Sequence, residues 1–196
     1  MDKLEKIKKK AIEEHVPIIM DDTLDTITKI VGNRKFKRIL EIGTAVGYSS
    51  ICFTKFLLPE GGEIDTIERN DEMIKQAKKN IKIAPKKFKI NILEGDAVEI
   101  LKSLDKKYDM VFIDAAKSKY PIFLKESLRM LEDDGIIFAD NILYKGYVMS
   151  DYNKHKQRTA VTHLREFIKM ITTDETLETK IIDVGDGLSY TKKKSL

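Results

Sequence analysis

Cysteine is almost absent from this chain: Cys52 is the only one in 196 residues. An internal disulfide is thereby excluded, and so is a thiolate metal site. Cys52 lies on an apolar stretch with no histidine in its motif to activate it, and it reads as a core residue. Histidine is scarce too. His15, His155 and His163 fall at a helix end, in a loop and on a helix, without the spacing of a metal pair, so they read as structural or surface residues. Of the three, only His155, in a basic loop, is a candidate for binding. No apolar run approaches the length of a membrane span, and the lysine-rich residues 1–10 lack the apolar segment of a signal peptide. The expectation is a cytoplasmic protein with no membrane partner. Neither sign of charge dominates: 36 basic residues against 32 acidic leave a net charge of +4, a weak pointer to RNA. There are no internal repeats and no low-complexity linker.

What is present is an alternation. The length suits one domain with a core of useful size, residues 1–196, with N-terminal helices in 1–33 and the main fold in 34–196. Amphipathic helices are expected over 3–14 and 22–31, with Pro17 interrupting the helical pattern between them. Apolar strands at 38–42, 63–67, 108–113 and 135–139 then alternate with helices at 50–58, 71–83, 97–104 and 119–131, which is the rhythm of a parallel sheet. Past Asn141, a segment of about 15 residues rich in Tyr, Lys and Asn leads to a helix over 159–171; loops of that length in compact domains are often functional. Strands at 176–184 and 188–192 close the chain, joined by Gly185-Asp186-Gly187, whose Asp-Gly step signals a hairpin.

Two strand ends carry the chemistry. Ile113-Asp114-Ala115-Ala116-Lys117 and Ala139-Asp140-Asn141 each follow a buried strand, and in an open parallel sheet the carboxyl ends of the strands line the ligand crevice. Two carboxylates and an amide oxygen suit a hard divalent cation such as Mg2+. The competing reading makes Asp114 and Asp140 simple caps of the next helix or turn. Lys117 would sit beside such a cation, where a lysine can lose its proton at neutral pH and act as a base. It can equally serve as a point charge that screens the carboxylates.

Upstream, strand 38–42 runs into Gly43-Thr44-Ala45-Val46-Gly47-Tyr48-Ser49 and then a helix, the opening of a doubly wound nucleotide-binding fold. The dinucleotide fingerprint fails, because Ala45 and Tyr48 stand where it needs glycine. An acidic residue, any residue, Gly, three residues, Gly is instead a turn that brings backbone close to an aminoacyl group, with Glu41 ahead of it to hold an ammonium. This segment resembles the S-adenosylmethionine site of class I methyltransferases. Glu68, about 25 residues past the turn, stands near the place of the acidic residue that takes ribose hydroxyls, unless it is only a surface glutamate. Asp96 holds the matching place after the third strand and faces the adenine in this reading; it would also serve as an N-cap.

The segments EIGTAVGYSS, TIERN, FIDAAKSKY, ADNILYKG and VGDGL together resemble the metal-dependent O-methyltransferases related to the catechol and caffeoyl-CoA enzymes, over nearly the whole chain. The VPII segment, the KG after DNIL and the short C-terminus are most similar to the bacterial tRNA 5-hydroxyuridine methyltransferases. The resemblance implies an α/β, doubly wound, Rossmann-like sheet of seven strands in the order 3-2-1-4-5-7-6, with helices on both faces and an antiparallel terminal hairpin. It implies metal ligands at Asp114, Asp140 and Asn141 and a general base at Lys117. It implies S-adenosylmethionine contacts at Met20, Glu41, Gly43, Thr44, Gly47, Ser49, Glu68, Asp96, Ala97 and Asp114. The relatives' habits and an apolar face on the first helix add a homodimer. Two departures stand out: Thr44 and Ala45 replace further glycine in the loop, and there is no long insertion to roof over an acyl-thioester substrate.

A sulfonium methyl is already electrophilic, so the enzyme must hold an oxygen in line and make it anionic. Mg2+ lowers the pKa of a bound hydroxyl, and the 5-hydroxyl and O4 of 5-hydroxyuridine are vicinal, as catechol oxygens are. Lys117, Lys119, Tyr144, Lys145, Tyr147, Lys154, Lys156 and Arg158 bracket the expected site and mix bases with aromatics that can stack on an unpaired nucleotide. A tRNA anticodon loop is thus the expected partner, with Lys145 and Arg158 near phosphates. A small-molecule catechol methyltransferase and a non-catalytic S-adenosylmethionine-binding module are the competing readings.

Overall fold

The computed structural model describes residues 2–150 and 157–194. They divide into two compact units, Met1–Ile100 and Leu101–Leu196.

The first unit opens with helices α1 (Lys3–Glu13) and α2 (Asp21–Val31), separated by the Pro17 segment as expected. Strand β1 (Arg38–Ile42) pairs in parallel with β2 (Glu63–Glu68), and β2 with β3 (Lys89–Glu94). Ile39, Leu40, Ile42, Ile64 and Ile67 are buried, as near-continuous apolar strands of a covered parallel sheet should be. Helix α4 (Asp71–Asn80) starts where Asn70 accepts hydrogen bonds from the backbone N–H groups of Glu72 and Met73. Its acidic first turn and its lysines in the last complement the helix dipole. Helix α5 (Ala97–Ser103) follows β3. The helix expected over 50–58 is shorter and earlier: α3 spans Tyr48–Phe53 and tightens into a 3-10 turn at Thr54–Phe56. The last turn expected of α4 is likewise 3-10, at Ile81–Ile83.

The second unit contains β4 (Tyr108–Ile113), α6 (Tyr120–Met130), β5 (Leu131–Ala139), α7 (Arg158–Thr173) and the hairpin of β6 (Leu177–Ile182) with β7 (Leu188–Lys193). β4 and β5 are parallel, while β7 runs antiparallel to both β5 and β6. Strand β5 begins four residues before the expected Gly135, and α6 stops short of Leu131. The register explains the difference. Leu131 pairs with Tyr108, the ladder then slips, and regular pairing resumes only at Ile136 with Met110. Gly135 is required at the slip, because a Cβ there would meet Leu131 Cδ1 at 2.7 Å.

The strand order is 3-2-1-4-5-7-6. Antiparallel pairing of β5 with β7 places the Gly185-Asp186-Gly187 tip beside the carboxyl end of β5, where Ile142 and Leu143 donate to the carbonyls of Gly187 and Asp186. Among the described residues no helix is long and apolar enough to cross a membrane.

Candidate active site

In the first unit the carboxyl ends of β1 and β2 are joined by hydrogen bonds. Gly43 and Thr44 both donate to the carbonyl of Ile67, and Ala45 N–H donates to Glu68 Oε2 at 2.9 Å. The other oxygen of Glu68 accepts from the backbone N–H groups of Arg69 and Asn70, each at 2.9 Å. A carboxylate offers about four lone-pair sites, and with three of them taken Glu68 can still accept from one hydroxyl. Ala45 adopts φ +45, a left-handed backbone uncommon for a residue with a Cβ, and that conformation aims its N–H at Glu68. Gly47, at φ +79, lies where a Cβ would come within 3.1 Å of Ile81 Cγ2, and Asn80 Nδ2 fastens the loop through the carbonyl of Val46. Only glycine fits that approach.

Glu41 departs from expectation. It is fully buried, and its Oε2 accepts from the Ser50 and Thr66 hydroxyls. Arranged so, it offers no surface to an ammonium; it ties the helix after the loop to β2. Thr66 in turn shares a 2.6 Å hydrogen bond with Thr44. Thr44 and Ser49 are buried in the loop, and Met20 is exposed at the N-cap of α2. Asp96 caps α5 through Val98 N–H and faces the Arg69 guanidinium at 3.6 Å, so the capping alternative holds for one of its oxygens. Ala97 opens that helix.

In the second unit Lys117 Nζ is the hub. It donates to Asp114 Oδ1 (2.8 Å), Asn141 Oδ1 (2.9 Å) and the Tyr120 hydroxyl (3.0 Å). The Tyr120 hydroxyl in turn donates a hydrogen bond to the carbonyl of Asp140 at 2.8 Å. Asn141 sits at φ +56, which asparagine tolerates, and its N–H donates to Asp140 Oδ1 at 2.7 Å. Asp140 is only 2% exposed. Burial, together with the Asp114 charge, pushes its carboxyl up to about 7 against the partial relief of the Asn141 N–H and Lys117. Burial by itself would lower Lys117, but Tyr120 and Asp114 outweigh it and hold the amine above the ordinary lysine value.

Three oxygen-bearing side chains at adjoining strand ends, one of them an acid held high by burial, fit a hard cation. The ammonium of Lys117 now bonds to two of the oxygens that such an ion would use. Among the described residues no group of three or more His, Cys, Asp or Glu side chains gathers at any point; this site has two carboxylates, Asp114 and Asp140, and takes its third oxygen from Asn141.

Lys145 is exposed, with backbone φ +58, and Arg158 is the exposed first residue of α7, which begins one residue earlier than expected. Lys154, His155 and Lys156 lie outside the described residues. A cavity of about 300 Å3 opens beside the lysine turn, lined in part by Lys119, Ile122, His163 and Glu166. Cys52 is buried, and burial raises its thiol to about 11, as befits a core residue. Sequence reading gave no role to Tyr120, Arg165 or Asp186. Tyr120 had one local signal, its place three residues after Lys117. Arg165 had none, and Asp186 was visible only as a turn residue.

The strand order with its antiparallel hairpin defines a Rossmann-like methyltransferase fold. The solved O-methyltransferase TomG of Streptomyces achromogenes, in complex with SAM, matches at a TM-score of 0.83 and 25% identity, covering 100% of this chain and 91% of that one. A caffeoyl-CoA O-methyltransferase of Populus kitakamiensis is 32% identical over 80% of this chain and 70% of its own. A catechol O-methyltransferase of Niastella koreensis is 32% identical over 79% and 70%. The family model described as O-methyltransferase matches residues 1–194, and the chain belongs to that family.

Proposed function

We propose that the protein transfers a methyl group from S-adenosylmethionine to a hydroxyl that has a second oxygen beside it, with Mg2+ or another divalent cation, and that the acceptor is 5-hydroxyuridine at the wobble position of tRNA. The observation that carries the O-methylation reading is the hub of Asp114, Lys117, Tyr120, Asp140 and Asn141. A divalent ion held there would supply positive charge that lowers the pKa of an acceptor hydroxyl. Asp114, Asp140 and Asn141 are the residues to hold it. Lys117 is an ammonium while it bonds to Asp114 and Asn141, with Tyr120 helping to hold its Nζ in place; its amine would be available as a base if those two contacts were relieved. For the cofactor, Glu68 takes a ribose hydroxyl, Asp96 and Ala97 border the adenine, and Gly43, Thr44, Gly47 and Ser49 form the turn around the aminoacyl end.

The tRNA acceptor is supported by the segment after Asn141. Tyr144 and Tyr147 meet edge to face with centroids 5.9 Å apart, and the exposed Lys145 stands between them in sequence. Aromatic faces beside a cation suit an unpaired base and its phosphate. The second reading, a small catechol acceptor, is favoured by the names of the relatives at 32% identity. Labelled methyl from S-adenosylmethionine should enter tRNA that contains 5-hydroxyuridine in preference to a panel of catechols. Ready turnover of catechols with such tRNA left untouched would establish the second reading instead. Replacing Lys145 and Arg158 by Ala should make the slope of log K for tRNA against log salt shallower by up to roughly two.

A further inference from the structure

We infer that Asp186 and Arg165 are positioning residues that set the shape of residues 142–150 for the acceptor. The inference rests on the reading of Asn141 and the segment after it as the acceptor side of the site. From Asn141, just before this stretch, to Gly146, four positions, Asn141, Tyr144, Lys145 and Gly146, have left-handed backbones, with φ of 56, 46, 58 and 74. Three of them carry side chains. Such a run persists only where the surroundings over-determine it.

The surroundings do so from both ends. At the near end Leu143 donates to the carbonyl of Asp186, Ile142 donates to that of Gly187, and Lys145 N–H is taken by Asp186 Oδ1. Gly187, at φ +89, leaves no room for a Cβ against Leu143, so the hairpin tip and the segment touch backbone to side chain. At the far end the Arg165 guanidinium, reaching from α7, donates to the carbonyls of Val148 (3.0 Å), Tyr147 (3.4 Å) and Ser150. Val148 is buried beneath while Met149 is 77% exposed. An acid that accepts a backbone N–H and a guanidinium that collects carbonyls thus bracket the Tyr144–Tyr147 pair, and neither side chain is needed for the hairpin's own ladder. Their effect on catalysis is indirect: they fix where two aromatic rings and Lys145 stand before the acceptor arrives.

The experiment compares Asp186→Ala, which deletes the acceptor for Lys145 N–H, with Asp186→Asn, which keeps an oxygen there and drops the charge. In the Ala variant KM for the acceptor should rise about tenfold, with S-adenosylmethionine affinity unchanged. The Asn variant should recover most of that loss. Arg165→Met should also raise the acceptor KM, with Arg165→Lys between it and wild type. Hydrogen exchange of the 142–150 amides gives a readout independent of activity, and it should quicken in Asp186→Ala. Whichever acceptor the wild type uses, tRNA or catechol, serves for the kinetics, so a failed tRNA assignment is seen in the wild type and a failed positioning role in the variants. Equal loss in the Ala and Asn variants, equal loss of cofactor and acceptor affinity, or unchanged exchange would overturn the inference.

Discussion

The strand ends of the first unit hold their half-buried carboxylate, Glu68, with backbone N–H groups, whereas those of the second hold their oxygens with an ammonium. Glu68 accepts from Ala45, Arg69 and Asn70, all neutral donors fixed by the chain path. Asp114 and Asn141 accept from Lys117, a full charge carried on a side chain. Fixed dipoles stabilise an anion without a counter-ion and leave room for a hydroxyl to bind. A largely buried cluster around a side-chain cation is different. Removing one member leaves another charge uncompensated, and a competing cation can take its place. The first arrangement suits recognition, the second a change of protonation.

The sharpest way to break this contrast is Lys117→Ala. Loss of a general base lowers turnover by about 100- to 10,000-fold. Cofactor affinity should stay within about twofold by calorimetry. A variant that turns over normally would reduce Lys117 to a screening charge.

The next effect is a pH dependence of stability. Asp140 is raised in the folded chain from 3.8 to about 7, so the native state holds a proton that the unfolded chain has lost between those values. Stability of the metal-free protein should therefore fall as pH rises from about 4 to about 7 and level off above, by on the order of 4 kcal/mol at most. Asp140→Asn should abolish the decline in denaturant melts run in EDTA. Mg2+ should restore stability to the wild type above pH 7, since it favours the ionised acid. A wild-type stability that rises through this window would contradict the burial argument.

Smaller is the loss expected in the first unit, where Glu68→Ala should weaken S-adenosylmethionine about tenfold, as loss of a hydrogen bond to a charged acceptor does. Unchanged affinity in calorimetry would place the ribose elsewhere. Smallest of all, Ala45→Gly relieves one left-handed residue and should stabilise the protein by about 0–1 kcal/mol in a thermal melt.

These effects differ in how far they were visible in the residues. Strands β1 and β4 were readable to the residue, because a run such as YDMVFI between polar stretches has few other ways to be buried. The start of β5 was not, since a ladder slip at 132–135 depends on the partner strand and leaves no mark in hydrophobic periodicity. Asp114, Lys117 and Asn141 could be assembled from two strand ends because the sheet rule brings such ends together. Glu41 was misplaced for the converse reason. An acid before a glycine turn is the same letter whether it faces a ligand or the interior, and the hydroxyls that turn it inward come from Ser50 and Thr66, the latter on a different strand.

By itself the sequence determined the alternation of strands and helices, the glycine turn, the terminal hairpin and the residue types at the strand ends, because these rest on local propensity and on periodicity along one chain. Tertiary structure alone decided which of those polar groups meet. It put an ammonium between Asp114 and Asn141, buried Asp140 until its acid weakened, and brought Asp186 and Arg165, 15 or more residues from the positions they hold, onto one loop. Hydrogen bonds and burial act through space between distant residues, and no spacing along the chain encodes their distances.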